Sequence, residues 1–110
     1  IHAKMHRAVA EAGGRIDAIF FCPHGPDEGC ACRKPRPGLF DEILVRFEAA
    51  TTDVHAIGDQ LRDLQAAHAA GCRPVLVLTG KGRATLAAGG LPPDAVLRVD
   101  LAAVAAELTP

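Results

Sequence analysis

The apolar positions of the chain change period from segment to segment, and those changes lay out alternating elements. Ile1, Met5, Ala8, Val9 and Ala12 recur at the three- and four-residue spacing of one helix face, and Gly13-Gly14 supplies a stop. Residues 16–21 (IDAIFF) form a short, mainly apolar run that predicts a buried strand. Residues 37–50 return to helical spacing. Pro37 suits a first turn, where a missing N–H does no harm, and Leu39, Phe40, Ile43, Leu44 and Phe47 make the apolar face. The pattern then predicts a strand over 54–58, a helix over 61–70 closed by Gly71, and a strand over 74–78 (PVLVL). A short helix over 83–88, a strand over 95–99 and a final helix over 101–108 complete the series.

Most of these strands are uniformly apolar rather than alternating, which is the mark of strands covered on both faces. With helices between them, they predict a single α/β domain over residues 1–110, built on a parallel sheet with helices on both faces. In such sheets ligands bind beyond the carboxyl ends of the strands. Three segments with chemistry fall there: Cys22 to Lys34, Gly58-Asp59, and Thr79 to Gly82. No repeat, low-complexity tract or linker interrupts the pattern.

Composition narrows the function. With 49% apolar and 23% charged residues the balance is that of an ordinary globular domain. A net charge of -1 gives no support to a nucleic-acid face or an anionic-membrane surface, and the lack of Tyr and Trp argues against base stacking. No apolar run approaches the roughly 20 residues that cross a bilayer. The first residues lack the continuous apolar core of a signal peptide. The reading is a cytosolic protein, where reduced cysteines point to metal or catalysis before disulfides. The start at Ile1, already inside a helical pattern, reads as the beginning of a piece of a longer domain.

Three of the four cysteines lie in FFCPHGPDEGCACRKPRPGLF, residues 20–40. Cys22, His24, Cys30 and Cys32 offer three thiolates and an imidazole, the ligands zinc prefers, and four of them complete a tetrahedron. With no position left for water, the zinc is expected to be structural. Gly25, Pro26 and Gly29 help the loop turn between the two ligand pairs. Cys72, alone in a helix-to-strand turn, reads as a small buried hydrophobe. His2 and His6, one helical turn apart, and His55 and His68 read as ordinary surface or core residues.

Arg33 and Lys34 follow the last cysteine directly, so a metal-locked loop would hold two cations with little freedom, as suits a phosphorylated substrate. Asp59 ends the 54–58 strand and Asp63 lies one turn into the next helix. A carboxylate there suits magnesium, and the same residues equally suit a helix start with a favourable first-turn charge. Spacing alone leaves both readings open.

Taken together, CPHGPDEGCACRKPRPGL, AIGDQLRDLQAAHAAG and VLVLTGKG resemble the haloacid dehalogenase-like phosphatases over nearly the whole chain. Within them they resemble the small group with a zinc loop ending in CRKP. The resemblance implies a Rossmann-like fold and hydrolysis of a phosphomonoester through a phospho-aspartyl enzyme with magnesium. It implies a small-molecule sugar phosphate as substrate, with the 7-phosphate of a heptose 1,7-bisphosphate removed on the way to activated heptose for lipopolysaccharide core or other surface glycans. It also implies a protein that is monomeric when complete. Lys34 matches the phosphate-binding lysine, Arg33 the neighbouring cation that meets substrate, Asp59 the magnesium ligand and Asp63 its supporting acid. Cys22, His24, Cys30 and Cys32 match the zinc ligands.

The chain departs from the family in one respect. The Asp-x-Asp motif that supplies nucleophile and general acid, and the Ser/Thr-bearing strand end, are not in it. The expectation is that these 110 residues are the C-terminal two-thirds of a phosphatase domain, inactive alone, with a gap between the 16–21 strand and the 54–58 strand. Two alternatives stand beside this: a histidinol-phosphate phosphatase of the same zinc-loop group, and a non-enzymatic zinc module that binds a partner.

Overall fold

Arg73–Val77 is the middle strand, β2, of a three-stranded parallel sheet, between β1 (His55–Gly58) and β3 (Val96–Arg98). The computed structural model describes residues 1–22, 29–30 and 32–108. His24, the expected fourth zinc ligand, lies outside the described residues. The register sets His55 opposite Arg73 and Gly58 opposite Leu76, then Val75 opposite Val96 and Val77 opposite Arg98. Parallel neighbours cannot be joined by a hairpin, so each connection crosses over through a helix. The helix α3 (Leu61–Ala70) joins β1 to β2, and α4 (Gly82–Ala88) joins β2 to β3. Before the sheet come α1 (His2–Glu11) and α2 (Gly38–Phe47), and after it α5 (Leu101–Leu108).

Alternation along β2 sends successive side chains to opposite faces, and both faces are covered. Val75 and Val77 meet Val104 of α5 on one side. On the other, Ala56 packs with Ala67 and Cys72, and Phe40 and Leu44 of α2 lie against them. Leu64, Leu76, Pro74 and Cys72 are the largest fully buried side chains, so the core sits between α3 and the middle strand. The expected parallel α/β sheet with helices on both faces is what the chain forms.

The ends of α3 follow from its sequence. Gln60 takes an extended conformation as the cap, and its N–H is accepted by Asp63 Oδ2 at 3.2 Å. The carboxylate thus satisfies an amide near the helix start and complements the positive end of the helix dipole. Gly71 closes the helix in the left-handed region.

One expected element differs. Residues 16–21 do not form a strand. An apolar run supplies faces to bury, but a strand exists only where a neighbour completes the backbone ladder, and no described strand lies beside this one. Ala18, Ile19 and Phe20 are half-buried, while Phe21 is 63% exposed. The expected first helix does form, yet none of its residues is buried. Among the described residues no helix is long and apolar enough to cross a membrane.

The position of the core makes a stability prediction. Leu76→Ala, at a site with no exposure, should lower unfolding free energy by about 2–5 kcal/mol. Val45→Ala, at a side chain 79% exposed on α2, should change it by less than about 0.5 kcal/mol. Denaturant unfolding of the two variants checks both values.

Candidate functional site

The cysteine segment lies at the carboxyl end of the sheet, and its sulfurs converge. Cys22 Sγ is 3.3 Å from Cys30 Sγ and 3.0 Å from Cys32 Sγ, and all three lie within 4.8 Å of one another. A tetrahedral zinc with bonds of about 2.3 Å sets its sulfurs roughly 3.8 Å apart. The cluster is therefore within about an ångström of a three-thiolate face, and its soft donors fit a thiophilic divalent ion. Arg36 donates from Nη1 to the Cys30 carbonyl, tying the loop to the turn before α2.

The thiols perturb one another. Burial works against ionising Cys30, but hydrogen bonds from Cys22 and Cys32 and from the backbone of Arg33 and Cys32 outweigh it and lower its pKa to about 6. Cys32 moves the other way, to about 12, because its hydrogen bond to Cys22, its burial and the neighbouring sulfur charge all hold its proton. Cys72 lies apart, its thiol pushed up first by burial.

Beyond the last cysteine, Lys34 reaches the first turn of α3. Its Nζ lies 2.5 Å from Asp63 Oδ1, with the Asp63 side chain only 18% exposed. Asp63 thus holds Lys34 with one oxygen and the Gln60 amide with the other. It sits so close to the end of β1 that a Cβ on Gly58 would fall 2.6 Å from its Cβ and Oδ2. Only glycine leaves that room.

Asp59 is fastened to a different segment. Its Oδ2 accepts the Lys81 N–H at 2.9 Å, and its backbone carbonyl accepts the Thr85 hydroxyl at 2.7 Å. Between them Gly80 turns with φ +57, and a Cβ there would lie 2.4 Å from Asp59 Oδ2. The Thr79 to Gly82 stretch, one of the three strand-end segments picked out in the sequence, thus meets the carboxylate through the Lys81 backbone N–H.

A cleft of about 280 Å³ opens between the loop and α3, with Arg33, Lys34 and Arg62 as its cations and Phe20, Phe21 and Leu39 among its apolar walls. Sequence reasoning missed Arg62, Arg36 and Gly80. The signal for Arg62 was its place beside Asp63 in GDQLRD; Arg36 and Gly80 act through contacts distant in sequence. His2 packs edge-on against Phe21, and His68 Nδ1 lies 3.0 Å from Asp94 Oδ1. A separate cavity of about 220 Å³ lies toward the amino ends of the strands, where Arg98 and Glu107 pair with each other. It brings together none of the expected site residues.

Cations, two carboxylates and a sulfur cluster at strand ends form an arrangement able to hold a phosphate beside a hard cation. A family model described as HAD-hydrolase-like matches residues 31–103. The chain belongs to the HAD-hydrolase-like family. Its relatives include a D-glycero-beta-D-manno-heptose-1,7-bisphosphate 7-phosphatase of Bordetella bronchiseptica, 61% identical over 108 residues, covering 98% of this chain and 60% of that protein. A protein of the same name from Neisseria meningitidis is 53% identical over 90 residues, covering 82% of this chain and 48% of that protein. The chain thus spans about 60% of the length of its Bordetella relative. The fold matches the crystal structure of D,D-heptose 1,7-bisphosphate phosphatase from B. bronchiseptica complexed with magnesium and phosphate. The TM-score is 0.94 at 61% identity, over 98% of this chain and 60% of that one. The part of the fold that these residues share with that structure includes the three-stranded parallel sheet and its helices.

The sulfur geometry makes a prediction for metal-stripped protein. A lowered pKa means that thiolate forms above that value, so alkylation of Cys30 by iodoacetamide should rise with a midpoint near pH 6. Cys32, held to about 12, should stay unreactive through neutral pH. Peptide mapping across a pH series separates the cysteines, and equal rates for the pair would contradict the hydrogen-bond arrangement.

Proposed function

We propose that these 110 residues are the C-terminal part of a magnesium-dependent phosphatase domain that removes the 7-phosphate of D-glycero-D-manno-heptose 1,7-bisphosphate, in the making of activated heptose for surface glycans. The observation that carries this reading is the 0.94 TM-score, at 61% identity, to a heptose bisphosphate phosphatase complexed with magnesium and phosphate. The strand-end cluster supports it from the chain's own residues.

In this reading Lys34, oriented by Asp63, faces the phosphoryl group that leaves, where a fixed cation offsets the charge that develops in transfer. Arg33 beside it meets substrate. Asp59, held by the Lys81 amide, is a magnesium ligand, and bound magnesium would neutralise phosphoryl oxygens. Cys22, Cys30 and Cys32, with His24, hold zinc, which would clamp the loop that presents Arg33 and Lys34. The aspartyl nucleophile and its partner acid come from a part of the domain outside these residues, since no Asp-x-Asp occurs among them.

Three outcomes follow. In the complete protein, Asp59→Asn should lower turnover by at least about a hundredfold and leave zinc content unchanged. Activity that survives would remove Asp59 from the magnesium site. The 110-residue chain alone should hydrolyse nothing with magnesium present, and measurable turnover would show that the acids needed are already in it. The complete protein should prefer heptose 1,7-bisphosphate to histidinol phosphate, and the reverse preference would overturn the substrate assignment.

A further inference from the structure

Asp59 belongs to neither β1 nor α3, so its direction is set by the groups that hold it. Two of them come from the chain that leaves β2, the strand with which β1 is paired. The Lys81 N–H donates to the side-chain Oδ2 at 2.9 Å, and the Thr85 hydroxyl donates to the backbone carbonyl at 2.7 Å. Lys81 caps α4 and accepts the Thr85 N–H at 3.0 Å, so a single turn of helix carries both donors.

That turn is fixed to the end of β2. A Cβ on Gly82 would fall 1.8 Å from the Val77 carbonyl oxygen, so the helix start lies in backbone contact with the strand. The Gly82 N–H is accepted by the Thr79 carbonyl at 2.9 Å, which closes the turn before the helix. Thr85 is carried on this support. Its hydroxyl has one proton to give. In a helix a threonine can turn that proton back to the carbonyl four residues earlier. Here it crosses to Asp59, on a different segment of the chain.

We infer that Thr85 is a positioning residue for the metal: its hydroxyl holds the Asp59 backbone so that the carboxylate is aimed before a cation binds. This rests on the reading of Asp59 as a magnesium ligand above. The two contacts do different work. The Lys81 amide fixes a carboxylate oxygen, and the Thr85 hydroxyl fixes the peptide plane from which the side chain springs. Neither donor is a cation, so the carboxylate keeps the charge that a hard ion needs. A ligand already held in its bound direction loses less freedom on binding, and the gain appears as affinity.

The test is magnesium binding by the complete protein without substrate, measured by calorimetry. Thr85→Val keeps the shape and removes the donor, and should raise the magnesium Kd about three- to tenfold, the scale of one neutral hydrogen bond. Thr85→Ser keeps the hydroxyl and should stay within about twofold of the wild type. The magnesium concentration for half-maximal turnover should move with Kd, while KM for the phosphorylated substrate at saturating magnesium stays unchanged. If Thr85→Val does not fold, Thr85→Ala removes the same donor with a better helix former and should weaken magnesium equally. Unchanged affinity without the hydroxyl overturns the inference. Equal weakening in Thr85→Ser does so too, since it would trace the effect to packing of the methyl group. An Asp59→Asn variant that binds magnesium as the wild type does would remove the reading of Asp59 and this inference with it. Loss of binding in Asp59→Asn beside full binding in Thr85→Val would remove the inference alone.

Discussion

The contact between Lys34 and Asp63 is the constraint on which the site depends. Lys34 lies in a stretch with no helix or strand of its own, and Asp63 lies on the most deeply packed helix of the chain. The pair is part-exposed, and pairs of that kind contribute little stability, on the order of 1 kcal/mol or less. Its consequence is positional. Leu64, Ala66 and Ala67 bury α3 against the sheet, and that burial aims the first turn. Gly58 leaves room for Asp63, and the Gln60 amide fixes one of its oxygens. The other oxygen then decides where Lys34, and with it the end of the cysteine loop, can be.

The loop is held at its opposite end by sulfur. Arg36 braces the Cys30 carbonyl, and the three thiols lie near enough to share hydrogen bonds. Cys30 is easily ionised and Cys32 holds its proton, so the two neighbours compete for charge. A thiophilic cation would resolve that competition by taking all three as thiolates, so ordering the loop and deprotonating the cluster become one event. Rigidity reaches Arg33 and Lys34 from both directions, which two flexible surface cations would lack.

Most of the architecture was legible as period. The helix expected over 61–70 forms with those bounds, because its apolar face, its cap and Gly71 agree. The strands over 54–58, 74–78 and 95–99 each form within one residue of their expected limits at either end, since a covered strand must be apolar on both faces. The run at 16–21 misled for the complementary reason: its composition fits a strand, but pairing is a property of a neighbour. Asp63 could be read either as a helix-start charge or as a site acid. The structure shows that one carboxylate caps the helix and pairs with Lys34. Arg36 and Gly80 act through contacts that link separate segments, and no local pattern reports those.

The two acids at the end of β1 illustrate how one turn of chain can divide labour. Asp63 meets an ammonium and an amide, so much of its charge is already answered. The described contact to the Asp59 carboxylate is a neutral backbone N–H, which fixes its direction and leaves its charge in place. A hard cation binds where oxygen charge is fixed but not neutralised. Asp59 meets that condition and Asp63 does not, although both lie within one turn of the same strand end. Exchanging their partners would leave the composition of the site unchanged and remove its asymmetry: the lysine would neutralise the acid whose charge is now left in place. Two glycines make room for the present arrangement, since a side chain at Gly58 would displace Asp63 and one at Gly80 would displace Asp59. The chemistry of the site thus rests on space left empty beside two carboxylates as much as on the charges themselves.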